Sequence, residues 1–323
     1  MNTRLIKETD VKGALHLWNT CSNEPDFLYK SLDEKTFRTK FMSKNDVYET
    51  HTFVTYNNND ILGFVSGVHM IDNPTAYITF SLVRHDLRLQ GIGSSLVKTL
   101  ENCLSAPQKD TKRIDIIFFN PINLEWILPY TNIHDHPNAP GVDKSSAAYP
   151  FFQALGYIDF ACQNSYYRDI TTYQYSDKIL NKIDDLKTND IIITLFNHDK
   201  HHGYEELLND LNSPFWKKEI TDTLVNNSFP VLIAEKNGLV IGFAGPLKVQ
   251  KSLRGYFTGI GIHSGYRGYG AGSVLFSNLC MHLKLIGSHY MTLFTGENNP
   301  ARNIYEREGF KIVRSWANMR KEL

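Results

Sequence analysis

The sequence predicts an α/β protein with mixed sheets, built from two tandem copies of one domain. One observation is that apolar runs of strand length and segments of helical periodicity follow each other in the same order in both halves. A second is the pattern Arg-x-x-Gly-x-Gly, which begins once at Arg88 and again at Arg267. A third is that Gly242 follows Gly63 by the same 179 residues that separate the two arginines. Because the register holds across two separate motifs, we expect an internal duplication.

The composition is that of a globular protein with room for two domains. The chain has 323 residues, of which 42% are apolar and 21% charged, and both fractions are ordinary for folded domains. The 34 basic side chains balance 34 acidic ones, so the net charge points to neither nucleic acid nor a membrane. The cysteines form no CxxC pair, and the N-terminus has no apolar signal core. We expect a reduced, soluble, cytoplasmic protein.

In the first half, two helices precede a meander of strands that leads into the glycine turn. Residues 11–20 place Val11, Ala14 and Trp18 on one helical face. The asparagine-rich stretch 57–60 separates two strands, as a turn would. We predict helices at 11–20, 32–42 and 94–103, and strands at 3–6, 51–56, 61–69, 76–83, 114–119 and 165–170.

The second half repeats this order after an amphipathic stretch, 176–187, which we interpret as a solvated connecting helix. We therefore expect a first domain at 1–172, a linker helix at 173–189 and a second domain at 190–323. A short helix that Gly309 ends, followed by one more strand, completes the second domain. The other predicted helices there are 203–212, 216–226 and 273–285, and the predicted strands are 191–195, 231–235, 240–246, 255–262 and 291–294.

The glycine turns carry the clearest chemical signal. In the second half, Arg267, Gly268, Gly270 and Gly272 stand between a predicted strand and a predicted helix. Glycines leave the backbone N–H groups at the positive end of a helix unblocked, which suits a phosphate or pyrophosphate. The spacing is neither the GxGxxG of dinucleotide-binding folds nor the GxxxxGK[ST] of P-loops. Glycines also begin helices for steric reasons alone, so the pattern by itself leaves anion binding and a plain turn open.

A second motif follows the second turn and contains Asn298, Ala301, Tyr305, Gly309 and Phe310. Together the two motifs resemble those of the GCN5-related N-acetyltransferase (GNAT) family, whose motif A is [QR]xxGx[GA] and whose motif B is NxxAxxxYxxxGF. The resemblance implies two tandem acyl-CoA N-acyltransferase domains, with acetyl-CoA as cofactor and a primary amine of a small molecule or peptide as acceptor. The tandem form resembles mycothiol synthase in architecture, but neither motif specifies the acceptor.

The resemblance also implies where the cofactor binds. In this family, backbone groups of the splayed strand before the glycine turn bind the pantetheine arm. The implied residues of the second domain are Ile260, Ile262, Arg267, Gly268, Tyr269, Gly270, Ala271, Gly272, Ser273 and Asn298. Those of the first domain are Leu82, Val83, Arg88, Leu89, Gln90, Gly91, Ile92, Gly93 and Ser94.

The two halves differ at the catalytic residue that the resemblance implies. If the general acid is the tyrosine of motif B, the second domain keeps it as Tyr305, whereas the first has Phe152, which has no proton to donate. Ser145 likewise stands where the motif has asparagine. We therefore predict that the C-terminal domain is the catalytic half, with core packing as the alternative role of Tyr305. Glu297 is a candidate general base, although turn chemistry explains it equally well.

The first half carries an insertion after its last predicted core strand. Gly309 follows Gly156 by 153 residues rather than 179, so residues 120–146 include 26 extra ones. Loops of this length are usually functional or mobile. We expect either a lid or acceptor wall over the first domain's cleft, or a surface loop or a clamp on the other domain. Its histidines and those at 198–202 lack the spacing of metal ligands. The alternative to an enzyme is a module in which CoA binding regulates or stabilises the protein.

Overall fold

The computed structural model describes residues 1–58, 60–118, 120–131 and 134–323 of the chain. Asn59 of the predicted turn, Phe119 of the predicted strand, and Asn132 and Ile133 of the insertion lie outside the described residues. Within those residues, no helix has the length and apolar character needed to cross a membrane.

Helices and strands follow each other in the predicted order, and the α/β class with a mixed sheet is confirmed. The helices are α1 (Val11–Cys21), α2 (Glu34–Phe41), α3 (Ile92–Leu104), α4 (Ala148–Ala154), α5 (Asp177–Thr188), α6 (Tyr204–Asp210), α7 (Pro214–Val225), α8 (Ala271–Leu285) and α9 (Arg302–Arg307). The strands are β1 (Asn2–Leu5), β2 (Tyr48–Asn57), β3 (Asp60–Met70), β4 (Thr75–Val83), β5 (Arg113–Ile116), β6 (Trp126–Ile127), β7 (Asp135–His136), β8 (Val142–Asp143), β9 (Ile158–Asp169), β10 (Ile191–Leu195), β11 (Leu232–Lys236), β12 (Leu239–Gly245), β13 (Lys248–Val249), β14 (Arg254–Tyr256), β15 (Gly259–Ile262), β16 (Tyr290–Gly296) and β17 (Lys311–Glu322).

The chain forms two compact units that are not simply its two halves. Unit 1 comprises Met1–Ser165 together with Val313–Leu323, and unit 2 comprises Tyr166–Ile312. The division passes through β9 and β17, so most of the last strand, which we expect in the second domain, packs with unit 1. The bounds 1–172 and 190–323 refer to the duplicated sequence and stay a prediction.

The sheet of unit 1 includes the strand order β1-β2-β3-β4-β5-β17. The strands from β1 to β4 are antiparallel neighbours, β4 and β5 run parallel, and β17 returns antiparallel to β5. Phe64 and Val65 are consecutive in β3 and therefore point to opposite faces. Val65 packs in a core with Leu96 of α3, and Phe64 packs in another core with Trp18 of α1 and Phe37 of α2. The sheet thus has a helix-covered core on each face.

Ion pairs explain why the last strand belongs to unit 1. Asp115 in β5 is buried and accepts two hydrogen bonds from Arg320, at 2.7 and 2.9 Å. Glu101 in α3 is also buried and accepts hydrogen bonds from Lys321 at 3.0 Å and from the Tyr157 hydroxyl at 2.9 Å. Buried carboxylates require such partners. The end of β17 therefore supplies the cations that balance two acidic groups in the interior of unit 1.

Unit 2 contains an antiparallel sheet in the order β10-β11-β12-β15. The single strand that we predict at 255–262 is broken, because β14 pairs in parallel with β16 whereas β15 pairs with β12. Phe257 and Thr258 lie at the break. α5 is a helix where we predict the connecting one, and most of its residues are exposed. It also buries Leu186 in one core with Val274 of α8, so one face packs on unit 2 while the rest is solvated.

Candidate active site

The two glycine turns have the same backbone conformation. Gly91 and Gly270 directly precede α3 and α8, with φ values of +83° and +84°. This left-handed region is costly for a residue with a Cβ atom, so the position favours glycine. A Cβ atom at Gly91 would meet no atom within 4 Å, so the space beside the turn is open. Among the described residues no side chain caps either helix, and the N–H groups at both N-termini remain available to an anion.

The arginines of the two turns are held alike but have different acidic neighbours. Nε of Arg88 donates to the carbonyl oxygen of Val83 at 3.1 Å, and Arg267 makes the same contact with Ile262 at 3.2 Å. Among the described residues, only the arginine of unit 1 also bonds to a carboxylate: Nη2 of Arg88 donates to Oε2 of Glu24 at 2.8 Å. Within the described part of the chain, Arg267 forms no ion pair. An anion at the first turn must therefore compete with a direct hydrogen bond from Arg88 to Glu24, whereas Arg267 has only a more distant carboxylate, Asp210.

Beside each turn, the central parallel strands diverge. In unit 1, β4 pairs with β5 only over Thr75–Tyr77 and then continues beside β3 as far as Val83. In unit 2, β14 pairs with β16 at Arg254 and Gly255, and β15 continues beside β12. Strands that separate leave backbone N–H and C=O groups without ladder partners on their facing edges. Such an opening offers those groups to an extended ligand.

The residues that we predict to bind pantetheine lie on these diverging strands. Val83 and Ile262 occupy equivalent places, since each lies opposite a glycine of the neighbouring strand. Leu82 and Ile260 do not occupy equivalent places. Leu82 lies one residue before Val83, whereas Ile260 lies two residues before Ile262. Their side chains therefore point to opposite faces of their sheets. The contact of these four residues with pantetheine stays a prediction.

The other predicted cofactor residues surround the turns. Leu89 and Tyr269 are exposed beside them, Asn298 is exposed after β16, and Ile92 and Ala271 are buried as the first residues of the two helices. Each turn thus combines a buried helix start with an exposed approach. The remaining members are Gln90, Gly93 and Ser94 at the first turn, and Gly268, Gly272 and Ser273 at the second.

Tyr305 lies in α9, close to the second turn. A Cβ atom on Gly272 would stand 3.6 Å from Ile304, so α9 packs over the start of α8. The ring of Tyr305 is 7% exposed and its centroid lies 4.9 Å from that of Phe276. Burial, and secondarily the neighbouring Tyr166, raises the pKa of Tyr305 to about 12. The hydroxyl keeps its proton at neutral pH, and among the described residues it has no hydrogen-bond partner.

Unit 1 fills the corresponding place with an aromatic ring that carries no hydroxyl. Phe152 in α4 is 5% exposed, and its ring packs against those of Phe151 and Tyr157 at 5.1 and 5.4 Å. The two short helices end alike, with Gly156 at φ +89° and Gly309 at φ +78°. The fold is therefore repeated here while the tyrosine hydroxyl is not.

The structure adds a carboxylate that the sequence analysis does not identify. Glu219 in α7 accepts hydrogen bonds from the hydroxyls of Tyr256 and Thr258, on Oε1 and Oε2 respectively, each at 2.5 Å. Tyr256 ends β14 and Thr258 precedes β15, so the carboxylate lies where the strand leaves β16. Burial, and then the hydrogen bond to Glu219, raises the pKa of Tyr256. The predicted base candidate, Glu297, is exposed after β16.

In unit 1, the insertion packs over the equivalent opening. A cavity there is lined by Ile78 and Thr79 of β4, by residues after β5 and by residues of the insertion. The amide group of Asn120 donates to the Thr79 hydroxyl at 3.1 Å and to the carbonyl oxygen of Ile78 at 3.3 Å, so it bridges the diverging strands. The cavity has a volume of about 30 Å³. This volume suits a few waters rather than an organic acceptor.

Packing also fixes the insertion within unit 1. Trp126 is fully buried, and its ring lies 4.9 Å from that of Trp316. Asp135 pairs with Lys30, which precedes α2. The described part of the insertion is therefore packed within unit 1 and not loose, while its role as a lid or acceptor wall stays a prediction.

A family model matches the chain in both predicted domains. The model is that of the acetyltransferase (GNAT) family, and it matches residues 14–120 and 190–310. Both stretches include the diverging strands and the glycine turn of their unit. A comparison with curated protein sequences gave no match.

Solved structures resemble the chain over nearly its whole length. A GCN5-related glucosamine N-acetyltransferase region of a fungal multi-domain GH3 β-N-acetylglucosaminidase has a TM-score of 0.67 at 15% identity, over 99% of this chain and 38% of that one. A GCN5-related N-acetyltransferase from Sphaerobacter thermophilus has a TM-score of 0.63 at 13% identity, over 99% of this chain and 95% of that one. A tandem GNAT protein from the clavulanic acid biosynthesis pathway has a TM-score of 0.59 at 13% identity, over 99% of this chain and 98% of that one.

At such identities these likenesses concern the fold, which they place among GCN5-related proteins that include a tandem form. The family model covers more than half of the chain and recurs in both copies of the duplicated motif. The chain therefore belongs to the acetyltransferase (GNAT) family, with two tandem domains of that family.

Proposed function

We propose that the protein is an acetyl-CoA-dependent N-acetyltransferase that transfers acetyl to a primary amine of a small molecule or peptide. The observation that carries the proposal is the combination in unit 2 of an open strand divergence, a glycine turn and Tyr305 packed over that turn. Unit 1 has the first two features but places Phe152 where the tyrosine would be. We therefore assign catalysis to unit 2.

The residues of unit 2 suit the cofactor that the family implies. A pyrophosphate fits the N-terminus of α8, where the left-handed Gly270 leaves backbone N–H groups open. Arg267 adds a cation that forms no ion pair with a carboxylate of the described residues, although the charge of Asp210 lies close enough to interact with it. Ile260 and Ile262, on the strand that leaves β16, offer backbone groups to the pantetheine arm. When bound, acetyl-CoA supplies a thioester acyl group.

Tyr305 acts as proton donor in this proposal. Its pKa of about 12, raised mainly by burial, keeps the hydroxyl protonated over the whole neutral range. A departing thiolate needs a proton, and a hydroxyl without a competing hydrogen-bond partner can supply it. Unit 1 lacks this donor and has a narrow cavity beneath its insertion. This favours for unit 1 a second function, CoA binding without turnover.

A panel of primary amines tests the proposal, with release of free thiol from acetyl-CoA as readout. We expect turnover with at least one amine, and Tyr305→Phe should lower kcat by about a hundredfold, the range of general acid catalysis, with CoA affinity unchanged. The matched control is Tyr204→Phe, whose partly exposed hydroxyl makes only a 3.4 Å contact with Glu205. CoA binding without thiol release for any amine would instead support the binding module. Full activity of Tyr305→Phe would remove this residue from the mechanism.

A further inference from the structure

We infer that Glu219 is the acceptor-side carboxylate of unit 2, which binds the acceptor as a cationic primary amine and then takes its proton. The inference rests on the proposed acetyltransferase function and names a residue and a substrate charge that the family motifs leave open. The acceptor class that follows is an aliphatic amine, because such amines are protonated near neutral pH.

The first support is the position of the carboxylate. Tyr256 and Thr258 flank the break between β14 and β15, and their hydroxyls each donate to one oxygen of Glu219 at 2.5 Å. Trp216, one turn earlier in α7, donates from Nε1 to the carbonyl oxygen of Thr258 at 3.0 Å. The helix and the strand break are thus tied together by three hydrogen bonds. Each carboxylate oxygen still has lone-pair capacity for an ammonium N–H.

The second support is a comparison within the chain. Glu219 follows Lys40 by 179 residues, the interval of the duplication. The structural frame is the same in both places: Trp216 packs edge-on against Phe243 at 5.7 Å, and Phe37 packs edge-on against Phe64 at 5.8 Å. One frame therefore carries a carboxylate in unit 2 and an ammonium in unit 1.

The hydroxyl-bearing strand positions are also repeated, since Tyr77 and Thr79 precede Tyr256 and Thr258 by 179 residues. In unit 1, however, Lys40 donates from Nζ to the carbonyl oxygen of Asn123 in the insertion. The fold thus accepts a lysine at this place when the opening is covered. The repeated frame does not require a carboxylate, and its presence beside the strand break of unit 2 points to a ligand of positive charge.

Transfer of the acetyl group moves two protons and forms one bond while breaking another. One N–H proton of the bound ammonium passes to Glu219, and the freed nitrogen lone pair forms the bond to the thioester carbonyl carbon. The carbon–sulfur bond breaks, its electron pair stays on sulfur, and sulfur receives the Tyr305 proton. The nitrogen then returns its second proton to the tyrosinate, and Glu219 releases the first to solvent. The net products are the amide, free thiol and one proton.

The test compares Glu219→Gln with wild type, using the amine that wild type turns over best and following thiol release from pH 5 to 9. Glutamine keeps the shape and one acceptor oxygen, and its NH2 group can donate to the hydroxyl that loses its acceptor. It neither attracts a cation nor takes a proton. We expect kcat/KM to fall by about a hundredfold or more across this pH range, and CoA affinity to stay the same. Glu219→Asp should restore part of the rate. Lys40→Met, at the matched position of unit 1, should leave turnover within about twofold.

Binding of the amine separates the two roles of the carboxylate. Calorimetry should show at least about tenfold weaker binding of a cationic amine to Glu219→Gln than to wild type, with thermal unfolding unchanged. Turnover and amine binding within twofold of wild type in Glu219→Gln would overturn this inference while leaving the proposed function intact. A wild-type protein that neither turns over nor binds any amine would contradict both.

Discussion

Replacing Arg320 by methionine tests whether the last strand completes unit 1. The Arg320 guanidinium donates two hydrogen bonds to Asp115, which is 1% exposed. Breaking a buried ion pair by removing one partner costs about 3–5 kcal/mol. Two features reduce this: the Arg320 side chain is itself 26% exposed, and Nε of Arg113 remains 3.6 Å from the carboxylate. We therefore expect Arg320→Met to lower the free energy of unfolding of unit 1 by about 2–3 kcal/mol.

Urea unfolding followed by tryptophan fluorescence measures this effect. Trp126 and Trp316 are fully buried next to each other in unit 1 and report its transition. The control is Lys311→Met, at the exposed start of β17, which should change the same transition by less than about 0.5 kcal/mol. Replacing Asp115 by leucine in the Arg320→Met background should recover part of the loss, because both buried charges are then gone. An unfolding transition unchanged in Arg320→Met would contradict the assignment of the last strand to unit 1.

The other predictions concern the number of cofactor sites in the chain and two side chains of the first unit. Two CoA molecules should bind per chain, as calorimetry can measure. Glu24→Gln should tighten CoA binding at the Arg88 site by up to about fivefold, because it removes an ion pair worth about 0–1 kcal/mol. Unchanged CoA binding in this variant would contradict the competition between Glu24 and the cofactor. Burial, and then the charge of Lys109, lowers the pKa of His51 to about 4. Glu49 raises this pKa by a smaller amount, and His69 and Lys44 lower it slightly further. The unfolded chain takes up this proton near pH 6.5, so the stabilisation is complete above pH 6.5 and is lost towards pH 4. Wild type should lose up to about 3 kcal/mol relative to His51→Gln across that range in urea titrations, and parallel stability curves for the two proteins would refute the assignment.

Local sequence patterns predict the parts of this fold that depend on neighbouring residues. β10 has the predicted bounds, and the positions of Gly91 and Gly270 in the repeated motif correspond to the left-handed turns before α3 and α8. In contrast, the alternation in β17 identifies a strand but not its partner, because pairing with β5 depends on residues distant in sequence. The Asp115–Arg320 ion pair, which ties β17 to β5, joins positions 205 residues apart.

The candidate site shows the same limit. Tyr305 belongs to a contiguous motif, so a resemblance can identify it. Glu219 belongs to none: its two partners, Tyr256 and Thr258, lie in another segment, and only the strand break brings the three together. The duplication held a usable signal, since the 179-residue interval sets Glu219 against Lys40. A charge reversal at one repeated position is a feature that sequence comparison between the halves can search for.

The most direct test of catalysis in unit 2 uses the matched turn glycines. Gly270→Val and Gly91→Val place a branched side chain at φ values of +84° and +83°, with the same strain of about 1–3 kcal/mol and the same obstruction of the anion site. With the best amine and acetyl-CoA, thiol release by Gly270→Val should fall by at least about tenfold, whereas Gly91→Val should keep the wild-type rate. Loss of activity in Gly91→Val, with Gly270→Val unaffected, would place the chemistry in unit 1 and contradict the account.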